Sequence, residues 1–155
     1  MEIERKYLVN TLPEDLDKYP HVEIEQGYLC TSPTLRIRRM GDACILTVKE
    51  KRCFSTTAIV NREEEFLLPE KSYMALRNKC EGSFVSKTRY RIPLSQGLTV
   101  ELDIFHGRHE GLCIAEVEFP SIDIANEFVP PEWLGKDVSS DPRYRNSWLA
   151  FNTNV

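Results

Sequence analysis

The stretch Glu2-Ile3-Glu4-Arg5-Lys6-Tyr7-Leu8-Val9 decides how the rest of the chain is read. Its Ile, Tyr, Leu and Val content favours a strand, in which side chains i, i+2 and i+4 share one face. Glu2, Glu4 and Lys6 then form one row, with Ile3 and Arg5 on the reverse. Alone, such a row is an ordinary solvated face of an antiparallel strand. Recurrence gives it meaning.

Charged residues at i and i+2 return as Arg36/Arg38, Glu63/Glu65, Lys87/Arg89, Glu101/Asp103 and Glu116/Glu118, and Lys49 ends another strand-like run alone. Residues between them, such as Ile37, Leu102 and Val117, are of core type. Ordinary strand surfaces mix both signs with Ser, Thr and Gln, whereas each of these doublets carries one sign. Like charges set across neighbouring strands are destabilising unless something compensates. Strand residues i and i+2 lie about 7 Å apart, a spacing at which two carboxylates can share a hydrated cation. Arg and Lys at that spacing can span neighbouring phosphates. The pattern therefore points to a concave charged face around an anion and metal ions. About eight strands suffice to close such a face into a ligand-sized tunnel, with helices covering the apolar reverse. A polar lumen costs stability, so a ligand or metal is its reason for existing.

The segments 3–9, 22–30, 34–39, 44–50, 62–68, 84–92, 98–105 and 113–119 read as strands, each bounded by turn residues. Gly41-Asp42 and Ser95-Gln96-Gly97 read as hairpin connections. The spacing suits an antiparallel sheet or barrel, so the fold class is mainly β (α+β), in one domain over residues 1–155. Helices are expected over 70–81, ending at Gly82, over 121–128, and from an Asp141-Pro142 start, where Tyr144, Trp148 and Phe151 share one face. At 41% hydrophobic and 28% charged residues the composition is that of a soluble protein. A net charge of −4 weighs against broad nucleic-acid binding. The five cysteines, Cys30, Cys44, Cys53, Cys80 and Cys113, show neither a disulfide framework nor a zinc spacing and read as reduced packing thiols. With no membrane-length apolar run and no signal-like start, the expected location is cytoplasmic, with no membrane partner. His21, His106 and His109 lie outside the doublets and read as loop residues.

The ordered set EIERK (2–6), QGYL (26–29), RIR (36–38), LTVK (46–49), the Glu63/Glu65 pair, KTRYRI (87–92), VELDIF (100–105) and AEVEFP (115–120) resembles the CYTH or triphosphate tunnel metalloenzyme family. WLGKDVS and DPRYRNSWLA near the C-terminus resemble the closing segments of its compact bacterial members. The resemblance spans essentially the whole chain. It implies an eight-stranded antiparallel β tunnel with flanking helices and a C-terminal helix, binding a triphosphate and Mg²⁺ or Mn²⁺. It further implies phosphate contacts from Lys6, Arg36, Arg38, Lys49, Lys87 and Arg89, and metal ligation by Glu2, Glu4, Asp103, Glu116 and Glu118. Glu4, Lys87 and Glu116 are the implied catalytic groups. Glu63, Glu65 and Glu101 are further tunnel carboxylates, and Lys136 and Tyr144 are candidates for closing the site. Counted this way, eight acids face six bases.

The implied activity is hydrolysis of tripolyphosphate to pyrophosphate and phosphate. Two alternatives stay open: an adenylate cyclase or organic triphosphatase (ATP, thiamine triphosphate), and a noncatalytic binder of triphosphate or polyphosphate. The full carboxylate set disfavours the binder, and no base-reading motif stands out. The expected partner is a small triphosphate substrate and no nucleic acid; a homodimer is allowed for.

Overall fold

The computed structural model describes residues 1–52 and 57–152, so Cys53 lies outside the described residues. Eight strands close a ring: β1 (Glu2–Val9), β2 (His21–Thr31), β3 (Thr34–Met40), β4 (Ala43–Arg52), β5 (Ile59–Leu68), β6 (Glu81–Pro93), β7 (Thr99–His106) and β8 (Cys113–Glu118). Around the ring the order is β5-β4-β3-β2-β6-β7-β8-β1, closed by β1 against β5, with antiparallel pairing throughout. All eight expected strands form.

A ninth strand, β9 (Leu134–Asp137), was not expected from the strand pattern. It pairs with β1 at Tyr7 and Val9, beyond the Glu2–Glu4 stretch that pairs with β5. A strand has only two edges and β8 takes one, so β5 and β9 share the other in succession. Arg5, on the outer face, ties β9 down through Asp137 at 2.9 Å.

Alternation inverts the usual barrel. Val100, Leu102, Ala115 and Val117 are wholly buried on the outside of β7 and β8, in a cluster with Tyr7, Phe119, Ala125 and Leu134. Helix α2 (Ile122–Glu127), capped by the Ser121 hydroxyl accepting from Ile124 N–H, supplies Ala125 to it. A second outer cluster sets Tyr73 of α1 (Glu70–Arg77) on Ile37 and Cys44. Full burial of such aliphatic side chains contributes about 1.5–3 kcal/mol each, which offsets a lumen that holds charge.

Two helices differ from expectation. α1 stops at Arg77, and Gly82 lies inside β6 with φ +69° instead of ending the helix. The reason is a close approach: a Cβ at Gly82 would meet the Ala150 carbonyl oxygen at 2.6 Å. At the C-terminus, Asp141 does cap, accepting from Arg143 N–H, but the helix breaks into a 3-10 turn (Pro142–Tyr144) and the single turn α3 (Asn146–Leu149). Arg145 between them is extended, at ψ 137°, which interrupts the helical ladder. Cys30, Cys44, Cys80 and Cys113 are free thiols.

Candidate active site

The lumen is a cavity of about 1070 Å³ lined by residues of all eight ring strands and by residues 145–147. Its deepest layer is a chain of buried pairs. Lys87 (β6) and Asp103 (β7), both 1% exposed, meet at 2.8 Å. Arg89 grips the same carboxylate with two N–H donors at 2.8 and 2.9 Å. Lys87 Nζ also donates to Asn146 Oδ1 at 3.0 Å, while Lys6 Nζ lies 3.5 Å from Glu116 and donates to the Tyr144 carbonyl at 3.1 Å.

Above this layer Lys49 bridges Glu2 and Glu63 at 3.0 and 3.1 Å, and Asn61 Nδ2 donates to Glu2. Arg38 pairs with Glu65 at 2.8 Å, and Arg89 and Arg91 both reach Glu101. Like charges also meet across strands, with cations beside only some of them. Glu4 faces Glu118 directly across β1 and β8, and Glu101 faces Glu116 across β7 and β8. Among the described residues the buried Nε atoms of Arg36 and Arg38 have no hydrogen-bond partner.

Proton affinities follow this layout. Burial, reinforced by Glu116, holds Glu4 well above the usual carboxylate range, against Lys49. Glu116 is also pushed up by burial, but Lys6, Arg89, Lys87 and Lys49 outweigh that and leave it below the usual range. Asp103 is lowered in the same way, with Arg89 and Lys87 overcoming burial. Burial drives Lys87 down to about 7 despite Asp103. Burial, with Arg36 and Arg89 nearby, takes Arg38 down to about 10. Glu118 rises through burial and the neighbouring Glu2, Glu101 and Glu63.

The structure brings Glu2, Glu4, Lys6, Arg36, Arg38, Lys49, Glu63, Glu65, Arg89, Glu101, Glu116 and Glu118 to one cavity. Lys87 and Asp103 sit behind its wall, joined to it through Arg89 and Asn146. Lys136 is exposed on β9 and not among the lining residues; Tyr144 packs into an apolar cluster and offers the lumen lysine its carbonyl. His21 and His106 end strands, and His109 is buried, with Nε2 donating to the Leu149 carbonyl at 2.7 Å, so it braces α3 instead of lying in a loop surface. Asn61, Arg91, Arg145 and Asn146 were missed. Arg91 continues the Lys87/Arg89 alternation, a signal the sequence did carry. With Glu50, Lys51, Arg91 and Arg145 added, and Lys87 and Asp103 behind the wall, the lining has eight acids and eight cations.

Fold and site together define a β-tunnel protein whose lumen is lined by charges of both signs. No family model matches the chain. It is 39% identical over 155 residues to the inorganic triphosphatase of Nitrosomonas europaea, covering 97% of each chain. It is 35% identical over 158 residues to that of Acetivibrio thermocellus, covering 97% of this chain and 94% of the relative. The chain belongs to the inorganic triphosphatase family. The crystal structure of the inorganic triphosphatase NE1496 superposes with a TM-score of 0.71 at 37% identity, over 98% of this chain and 95% of that one. The putative adenylyl cyclase HpAC1 from Hippeastrum shares the fold alone, with a TM-score of 0.61 at 18% identity over 81% and 83% of the two chains.

Proposed function

We propose that this chain hydrolyses inorganic triphosphate to pyrophosphate and phosphate, with Mg²⁺ or Mn²⁺ as cofactor. One observation carries the reading: the facing carboxylates Glu4 and Glu118 line the same cavity as Arg36 and Arg38, whose buried Nε atoms lack a partner among the described residues. Each cross-strand acid pair is unfavourable without a cation between or beside it. Each orphaned donor is unfavourable without an acceptor. A metal triphosphate supplies both.

The donor set fits such a metal. Among the described residues no three acids are already gathered into a coordination sphere. The acids Glu2, Glu4, Glu116 and Glu118 nevertheless present hard oxygens from two adjacent strands, β1 and β8, which is what Mg²⁺ and Mn²⁺ take while keeping several waters. These four would hold it. The bound ion would neutralise phosphate charge and make a coordinated water more acidic. Asp103, already engaged by three N–H donors, serves to fix Lys87 and Arg89.

The chain's own groups do the rest. Arg36, Arg38, Lys49 and Arg89 grip phosphate oxygens, and Lys6 approaches from β1. Attack by water breaks one P–O–P bond, the bonding pair leaves on pyrophosphate, and these cations meet the charge that develops there. Glu4 and Glu116, with opposite proton affinities, and Lys87 behind them complete the reacting layer. The test is phosphate and cyclic AMP release from tripolyphosphate, ATP and thiamine triphosphate in parallel, with Mg²⁺, Mn²⁺ or EDTA. Metal-dependent phosphate release favouring tripolyphosphate is expected. Equal or faster turnover of ATP, cyclic AMP as main product, or indifference to EDTA would each overturn a stated part of the reading.

A further inference from the structure

Gln26 and Tyr28 of β2 sit beside the arginines of β3 and belong to none of the ion pairs. Across the two strands Gln26 is the register partner of Arg38, and Tyr28 that of Arg36. Tyr28 lines the cavity, while Gln26, wholly buried, is not among the lining residues. One hydrogen bond joins them: Gln26 Nε2 donates to Tyr28 Oη at 2.8 Å. The hydroxyl oxygen is thus used as an acceptor, and its own proton has no acceptor among the described residues. A tyrosine hydroxyl has one proton to give, so the amide fixes it as a donor. Arg36 and Arg38 opposite each keep a buried Nε–H without a partner among the described residues. Three donors on facing residues of β2 and β3 therefore lack the same thing, an acceptor.

The pair is held stiffly, and not for the sake of stability. The Tyr28 ring packs with Val85, Phe105, Ile114 and Leu149. Gly27, between the two residues, leaves room for the Phe84 ring, which a Cβ there would meet at 2.6 Å. Gln26 Oε1, in contrast, is buried with no donor among the described residues. An orphaned buried acceptor is unfavourable, and an apolar side chain of the same shape would avoid it. A local rule broken beside a charged cavity points to function.

We propose that Tyr28 is a substrate-binding residue whose hydroxyl donates a hydrogen bond to a phosphate oxygen, and that Gln26 is the positioning residue that aims it. The inference rests on the triphosphatase reading. Arg36, Arg38 and Tyr28 then close on one phosphoryl group from two strands. Unlike the lysines and arginines, the hydroxyl adds a directed bond without adding to their mutual repulsion.

The experiment is a double-mutant cycle on Tyr28→Phe, Gln26→Met and the two combined. Isothermal titration of tripolyphosphate in EDTA, steady-state hydrolysis with Mg²⁺, and thermal melts are read on all four proteins. Tyr28→Phe should weaken tripolyphosphate binding roughly tenfold, the loss of one hydrogen bond to a charged group, and raise KM more than it lowers kcat. Gln26→Met should weaken binding by a smaller factor alone and by none once Tyr28→Phe is present. The combined variant, with amide and hydroxyl both gone, should melt at or above wild type. Binding within about twofold of wild type in Tyr28→Phe overturns the role of Tyr28 while leaving the hydrolysis intact. Equal losses from Gln26→Met in both backgrounds overturn the positioning role of Gln26. Melting losses in the combined variant without weaker binding mark the pair as structural. A wild type that hydrolyses no tripolyphosphate overturns the functional reading itself.

Discussion

Glu4→Gln should stabilise the metal-free protein while removing most of its activity. Glu4 is buried, faces Glu118 directly across β1 and β8, and has Glu116 of β8 on the diagonal. One facing like-charge pair costs roughly 0.2–1 kcal/mol, and the diagonal neighbour adds a similar amount. Attraction to Lys49 and Lys6 offsets part of this. The net gain on neutralisation is then on the order of 1 kcal/mol, or about 2–4 °C in Tm for a chain of this size. The sign with pH follows from the raised proton affinity of Glu4. Above an ordinary carboxylate pKa of about 4.3 the unfolded chain has released the proton that the native state keeps, so native stability falls as pH rises through the folded value. The advantage of Glu4→Gln should thus be absent near pH 4 and grow toward pH 8. With Mg²⁺ and a nonhydrolysable triphosphate at a hundredfold excess over Kd, wild type gains about 2.7 kcal/mol and the variant less. Scanning calorimetry of both proteins in EDTA across that pH range measures this. A Glu4→Gln protein that melts several degrees lower at pH 8 would mean that the carboxylate is a structural partner of Lys49, and the assignment fails.

Three further outcomes follow from the buried layer. Asp103→Asn leaves Lys87 and Arg89 without their shared carboxylate; removing one partner of a buried pair costs about 3–5 kcal/mol, so thermal melts should show a loss of ten degrees or so, and a shift under two degrees contradicts the pairing. Burial lowers Lys87 to about 7, so its charge is lost as pH rises through neutrality and kcat/KM should decline there; Lys87→Arg, which stays charged, should remove that limb of the pH profile, and an unchanged limb would assign it elsewhere. Glu116→Gln frees Lys6 and removes one oxygen donor, so a rate matrix over Mg²⁺ should show a higher half-saturating metal concentration and lower kcat; near-normal values of both would place Glu116 outside the reacting layer.

The eight strands were legible because period-two alternation and one-sign doublets reinforce each other at Arg36/Arg38, Lys87/Arg89 and Glu116/Glu118. The same alternation placed these side chains inward, and the closed ring follows. What remained hidden depends on contacts distant in sequence. Gly82 looked like a helix end because glycine with positive φ serves both there and in a strand that another backbone crowds; only the Ala150 carbonyl decides between them. β9 is a four-residue strand whose Gly-Lys-Asp lacks strand propensity, and it forms because β1 still has edge to offer past Val60 and Ile59 of β5. Asn146 and Arg145 lie on a segment read by its apolar face, Tyr144, Trp148 and Phe151; the kink at Arg145 turns the polar side to the lumen. The pairing of Asp103 with two cations is likewise a cross-strand fact, as Arg89 and Asp103 are register partners.

The arrangement around β1 fixes an order of events in folding. This strand has no neighbour close in sequence: it pairs with residues 59–61, 114–118 and 134–137. Its β5 partners lie more than fifty residues away and its β8 partners more than a hundred, and such distant pairing is slow. A bare apolar strand left waiting is an aggregation hazard, and the charges at Glu2, Glu4, Arg5 and Lys6 keep this one in water until its partners arrive. Closure should then come after the folding barrier, so Ile3→Val is expected to speed unfolding and leave the refolding rate nearly unchanged in stopped-flow chevrons; slowed refolding would place β1 in the nucleus. The residues that serve the lumen of the finished protein thus also protect the nascent one.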